Sequence, residues 1–139
     1  MNRLPAEREF PKKFSSLPDI FQFLDDSLAE LTRDRAVVHV FSLAVEEFFT
    51  NMVKYSPESS RDVRIRVSSE PDAAVVTLTD REVEPFDVTA ARTPDTTLPL
   101  EERKPGGLGI FLSRELLDVV DYHYEDRCST IILKKRLGA

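Results

Sequence analysis

The chain has 139 residues, enough for one domain with a hydrophobic core of its own. Apolar residues make up 41% and charged residues 32%, a balance that fits a folded chain and excludes a disordered one. Nineteen Lys and Arg against 25 Asp and Glu give a net charge of −6, which weighs against nucleic acid as the main partner, since phosphate backbones attract a positive field.

Residues 7–14, "EREFPKKF", read as a short first strand with Pro11 pushing it to a sheet edge. In "SSLPDIFQFLDDSLAEL", Ser and Pro signal a helix start, and Ile20, Leu24, Leu28 and Leu31 fall at helical spacing, so a helix is expected over about 18–31. "DRAVVHVFSLAVEEFFTNMVKYSP" is the clearest helix, with Asp34 as N-cap, Val37, Val40, Phe41, Ala44, Phe48 and Met52 on one face, and Pro57 as its stop. "DVRIRVSS" alternates as a half-buried strand, and "AAVVTLTD" follows as its hairpin partner, ending at Asp80. Residues 81–105 hold Pro85, Pro94, Pro99 and Pro105 and read as a long lid or binding loop. A third helix is expected in "IFLSRELLDVV", then a closing strand pair in "DYHYED" and "STIILKK". This order predicts one domain over 1–139, an α+β two-layer sandwich with a mostly antiparallel mixed sheet and about three helices on one face.

Other features set boundaries. No run of about 18 apolar residues is present, so neither a transmembrane helix nor a membrane partner is expected. The start, "MNRLPAEREF", lacks the apolar centre of a signal peptide, which makes a cytoplasmic location the expectation. Cys128 is the sole cysteine, and His39 and His123 lie far apart, so no disulfide or His/Cys metal site is expected.

Three places carry candidate chemistry. Three of the four glycines fall in "KPGGLGIF", just ahead of the third helix. A helix N-terminus offers unpaired N–H groups and a positive dipole end, and glycine lets an anion approach the backbone. The same cluster would also serve as a turn that only packs a helix start. On the second helix, at about 100° per residue, Asn51 falls inside the apolar arc, and Glu47 and Lys54 lie along its margin. Glu47 and Asn51 are one turn apart and point to one place, as a site or as a satisfied polar pair at the core boundary. Asp80 ends a strand expected to be central; its carboxylate suits an exocyclic amine, and Asp also commonly opens a turn.

Taken in order, these features are Glu-x-x-x-Asn on a helix, a strand ending in Asp, a proline-rich connection, and Gly-Gly-x-Gly opening a helix. Over nearly its whole length the chain resembles the GHKL ATPase superfamily, the Bergerat nucleotide fold. Within it the chain is similar to the bacterial anti-sigma-factor serine/threonine kinases, most closely in "LAVEEFFTNMVKYS", "PFDV", "LPLEERKPGGLGIFLSRELLD" and "STIILKKRL". The resemblance implies an ATP- and Mg²⁺-dependent protein kinase that phosphorylates a STAS-type anti-sigma-factor antagonist, sequesters a sigma factor and forms a homodimer. It implies Glu47 as the catalytic residue that polarises the attacking hydroxyl and Asn51 as the Mg²⁺ ligand. It also implies a nucleotide-binding set of Asn51, Lys54, Asp80 at the adenine amine, Gly106, Gly107, Leu108 and Gly109 at the phosphates, and Thr130 supporting Asp80.

The sequence departs from that family in one place. The family's first glycine box reads Asp-x-Gly-x-Pro-Phe-Asp, whereas "DREVEPFD" has Val83 in place of Gly and one extra residue. A β-branched residue suits neither a positive-φ turn nor close approach to a ligand, so weaker nucleotide binding and an outward bulge are expected. A partner-binding module with the same fold and little or no catalysis is therefore the alternative function. A histidine kinase catalytic domain fits less well, because the chain is too short to add the helical hairpin that bears the phospho-acceptor histidine.

Overall fold

Period-two burial organises the sheet. The computed structural model describes residues 4–55, 61–85 and 107–138. Strand β2, Val63–Glu70, buries Val63, Ile65 and Val67, and β3, Ala73–Arg81, buries Ala74, Val76, Leu78 and Asp80 on the same side. Pro71 and Asp72 connect them, and Glu70 pairs with Ala73 at the hairpin end. Strand β1, Ala6–Phe10, adds to β2; β5, Cys128–Arg136, adds to β3; and β4, Val119–Glu125, adds to β5. The order is β1-β2-β3-β5-β4, which puts β3 at the centre. The sheet expected to be mixed is antiparallel at every described pairing.

Three helices are described, α1 (Leu17–Leu28), α2 (Arg35–Tyr55) and α3 (Gly107–Leu116). Helix α2 carries the core. Val38, Phe41, Ala44, Val45, Phe48, Phe49 and Met52 are buried against Ile20, Leu24 and Leu28 of α1 and the inward residues of the sheet. Helix α2 is long and apolar enough to cross a membrane by length and composition, but half of that span is buried within the fold. Asp34 caps it as expected, with its Oδ1 accepting the Ala36 N–H at 2.9 Å. The capping residue fixes where α2 begins, and hence which of its residues face the sheet.

Three boundaries differ from the sequence reading. The first strand stops at Phe10 rather than running to Phe14, and a 3₁₀ turn occupies Phe14–Ser16. Pro11 has no N–H to continue the ladder, and its carbonyl instead accepts the Lys13 N–H at 2.8 Å and the Ser16 hydroxyl at 2.6 Å. Helix α1 ends at Leu28, short of Leu31. Helix α3 ends at Leu116, whereas the apolar pattern continues through Val120. There Asp118 N–H bonds to the Lys134 carbonyl at 2.9 Å, and β-branched Val119 and Val120 enter β4. Pro57 and residues 86–105 of the expected lid lie outside the described residues.

Candidate functional site

Helix α2 presents two polar groups at its sheet-facing boundary. Asn51 is 5% exposed, as its place in the apolar arc predicts. One turn earlier, Glu47 is half-buried, and its Oε1 is buried with no hydrogen-bond partner among the described residues. Burial raises the Glu47 pKa above the ordinary 4.5; nearby Lys54 opposes that rise, and Glu46 adds to it. Lys54 is exposed at the same margin. A carboxylate oxygen withdrawn from water without a donor costs free energy, so it marks a place where the fold tolerates strain or awaits a ligand.

Asp80 is a third polar group at the layer interface. It continues the inward series Ala74, Val76, Leu78 on the central strand and is 1% exposed. Its neighbour across the sheet is Ser129, also buried. Thr130, expected to support Asp80, pairs instead with Thr79. The alternation of β5 puts Thr130 on the opposite face, with Ser129 on the face shared by Ile131 and Leu133. A residue that the sequence reading missed completes this corner: the Lys12 ammonium lies 2.7 Å from Asp80 Oδ1, and both side chains are buried. Continuing the strand alternation from inward Phe10 would have pointed to Lys12.

Gly107, Leu108 and Gly109 form the first turn of α3, so the helix start coincides with the glycine cluster; Gly106 lies outside the described residues. Helix α3 packs directly on α2, and α2 packs on β3. Helix α2, which bears Glu47 and Asn51, thus lies against both the helix that starts at the glycines and the strand that bears Asp80.

The segment after β3 does not bulge outward. Glu82, not Val83, takes the positive φ of 59°. Val83 is fully buried, its N–H bonds to the Arg127 carbonyl at 3.0 Å, and its own carbonyl accepts the Tyr124 hydroxyl at 2.8 Å. Glu84 pairs with Arg127 at 2.9 Å. The tight β4–β5 turn, in which Asp126 and Arg127 both have positive φ, therefore holds residues 82–84 against the sheet end. The valine that breaks the family's glycine pattern serves here as an anchor.

The donor set fits Mg²⁺ delivered with a nucleotide. Among the described residues no cluster of three His, Cys, Asp or Glu is placed to hold a metal alone. Mg²⁺ commonly takes one or two protein oxygens and fills its shell with phosphate oxygens and water, and a buried amide such as Asn51 matches that need.

A family model described as "Histidine kinase-like ATPase domain" matches residues 10–135. The chain belongs to this family. No curated protein matches it. Among solved structures it is similar to the crystal structure of the RsbU and RsbW domains of Rv1364c from Mycobacterium tuberculosis, at 15% identity and a TM-score of 0.67. The match covers 95% of this chain and 31% of that one, so this chain spans about a third of that protein. The likeness shows a common fold: an ATPase-type α+β sandwich.

Proposed function

We propose that the chain is an ATP-dependent protein serine/threonine kinase and anti-sigma factor. It phosphorylates a STAS-type antagonist and, when that antagonist lets go, captures a sigma factor. The observation that carries this reading is Glu47, whose buried Oε1 has no hydrogen-bond partner among the described residues and whose pKa is raised, one turn from buried Asn51. A carboxylate held in that way takes a proton more readily than one in water. Membership of the ATPase family and the fold shared with a structure containing an RsbW domain support the choice of activity and partner.

Asn51 would hold Mg²⁺, which supplies charge neutralisation on the phosphates, and the α3 start with Gly106, Gly107, Leu108 and Gly109 would hold their oxygens. Lys54 stands at the margin beside Glu47, and Asp80 would accept the adenine amine, with Ser129 rather than Thr130 beside it. Glu47 would orient the partner's Ser or Thr hydroxyl and accept its proton as that oxygen bonds to the γ-phosphorus. The bond to the bridging oxygen breaks, leaving ADP and a phosphorylated partner. The new phosphate adds negative charge to the interface and releases the antagonist. In this reading the chain works as a homodimer in the cytoplasm.

The test is incubation of purified chain with Mg-ATP and a STAS-type antagonist, read by mass spectrometry. The reading expects one phosphoryl group on a Ser or Thr of the antagonist. Antagonist binding without any phosphoryl gain would instead favour a binding module, a second reading that draws on Lys12 already engaging Asp80.

A further inference from the structure

The Lys12–Asp80 pair has a consequence for nucleotide binding at the site proposed above, and the inference rests on that reading. At one end of the sheet Phe10 pairs with Val63, next to the Arg64–Thr79 pair, and Asp80 follows Thr79 opposite Ser129, which in turn pairs with Tyr124. Lys12 sits two residues past Phe10, in a loop braced by the two hydrogen bonds to the Pro11 carbonyl. From there its side chain reaches Asp80 at 2.7 Å, with 4% of the lysine side chain and 1% of the aspartate exposed. The carboxylate that would read the base already faces a cation of the same chain in a buried ion pair.

An ammonium 2.7 Å from a buried carboxylate attracts it through a full unit charge in a medium that screens poorly, an attraction a neutral donor lacks. An adenine amine is neutral, so it meets Asp80 at a disadvantage against Lys12. We propose that Lys12 is an internal competitor for the base-reading carboxylate, lowering affinity for adenine nucleotides and the preference for adenine over 6-oxopurines. The lysine also gives the buried Asp80 a counter-charge while the base is absent. Nucleotide entry therefore exchanges one Asp80 partner for another, and the β1–α1 loop carrying Lys12 sets the cost of that exchange.

The experiment is calorimetric titration of the wild-type chain and Lys12→Met with Mg-ATP and Mg-ITP, which offers a carbonyl where ATP offers the amine. Lys12→Met should bind ATP about tenfold more tightly, equivalent to the loss of one competing bond of about 1.4 kcal/mol, and should gain little for ITP. Lys12→Gln keeps the stem and a neutral donor and should move the same way by a smaller factor; it carries the test if the methionine variant does not fold. Equal or weaker ATP binding by the variants, or an equal gain for ATP and ITP, overturns the role of Lys12 and leaves the kinase site standing. Absence of ATP and ITP binding in the wild type and both variants overturns the nucleotide site and this inference together.

Discussion

Two carboxylates at the interface between helices and sheet have opposite surroundings. Glu47, on α2, keeps a buried oxygen without a hydrogen-bond partner among the described residues and has a raised pKa. Asp80, on the central strand, is deeper, and an ammonium lies at 2.7 Å. The difference separates a carboxyl whose pKa burial raises from one with a cation beside it. Burial alone therefore does not assign a role; the counter-charge does.

Several variants break or sharpen this contrast. The largest effect is expected from Asn51→Ala, which should abolish both Mg-ATP binding and phosphoryl transfer, seen by titration and by partner mass; binding that persists would remove Asn51 from the metal site. Next is Asp80→Ala, which leaves Lys12 buried without the carboxylate. It should cost about 3–5 kcal/mol in denaturant unfolding, whereas the double change Lys12→Met with Asp80→Asn should cost much less. Equal costs for the single and double changes would mean that the pair is not coupled.

Glu47→Gln should act in the opposite sense and raise the melting temperature at neutral pH. The folded pKa of Glu47 lies above its ordinary 4.5, so the native state binds the proton more tightly than the unfolded one. Its penalty is absent below pH 4.5, grows as pH rises through the folded pKa, and is complete above it. Wild type and variant should therefore converge in acid and separate towards neutrality; a constant gap across pH would contradict the assigned cause. The smallest effect is expected from Asp34→Ala, which removes the α2 cap far from both carboxylates. It should cost about 1 kcal/mol of stability with no change in the pH dependence of transfer.

Much of this was legible in the sequence because helical and strand periods report burial directly. The α2 arc located Asn51 inside the core and Glu47 at its edge, and the alternation of β3 delivered Asp80 to the centre of the sheet. Thr130 was misplaced because a one-residue difference along a strand reverses the face, and only the β3–β5 register decides between it and Ser129. The Lys12–Asp80 contact joins positions distant in sequence, through a loop whose path depends on Pro11 and Ser16. Val83 was read by its neighbours in the family pattern, but its environment is set by Tyr124 and Arg127 from the last hairpin, a tertiary contact that local pattern does not encode. The end of α3 was overrun because Val119 and Val120 continue an apolar pattern, and pairing with β5 outweighed it.

The most direct test of the central claim is single-turnover phosphoryl transfer to the antagonist by wild type and Glu47→Gln, at matched ATP occupancy and across pH. The account predicts unchanged ATP affinity and transfer slowed by about 10²–10⁴-fold. It also predicts that wild-type transfer declines in acid at a pH above that of an ordinary carboxylate. Equal transfer rates for the two proteins would contradict it.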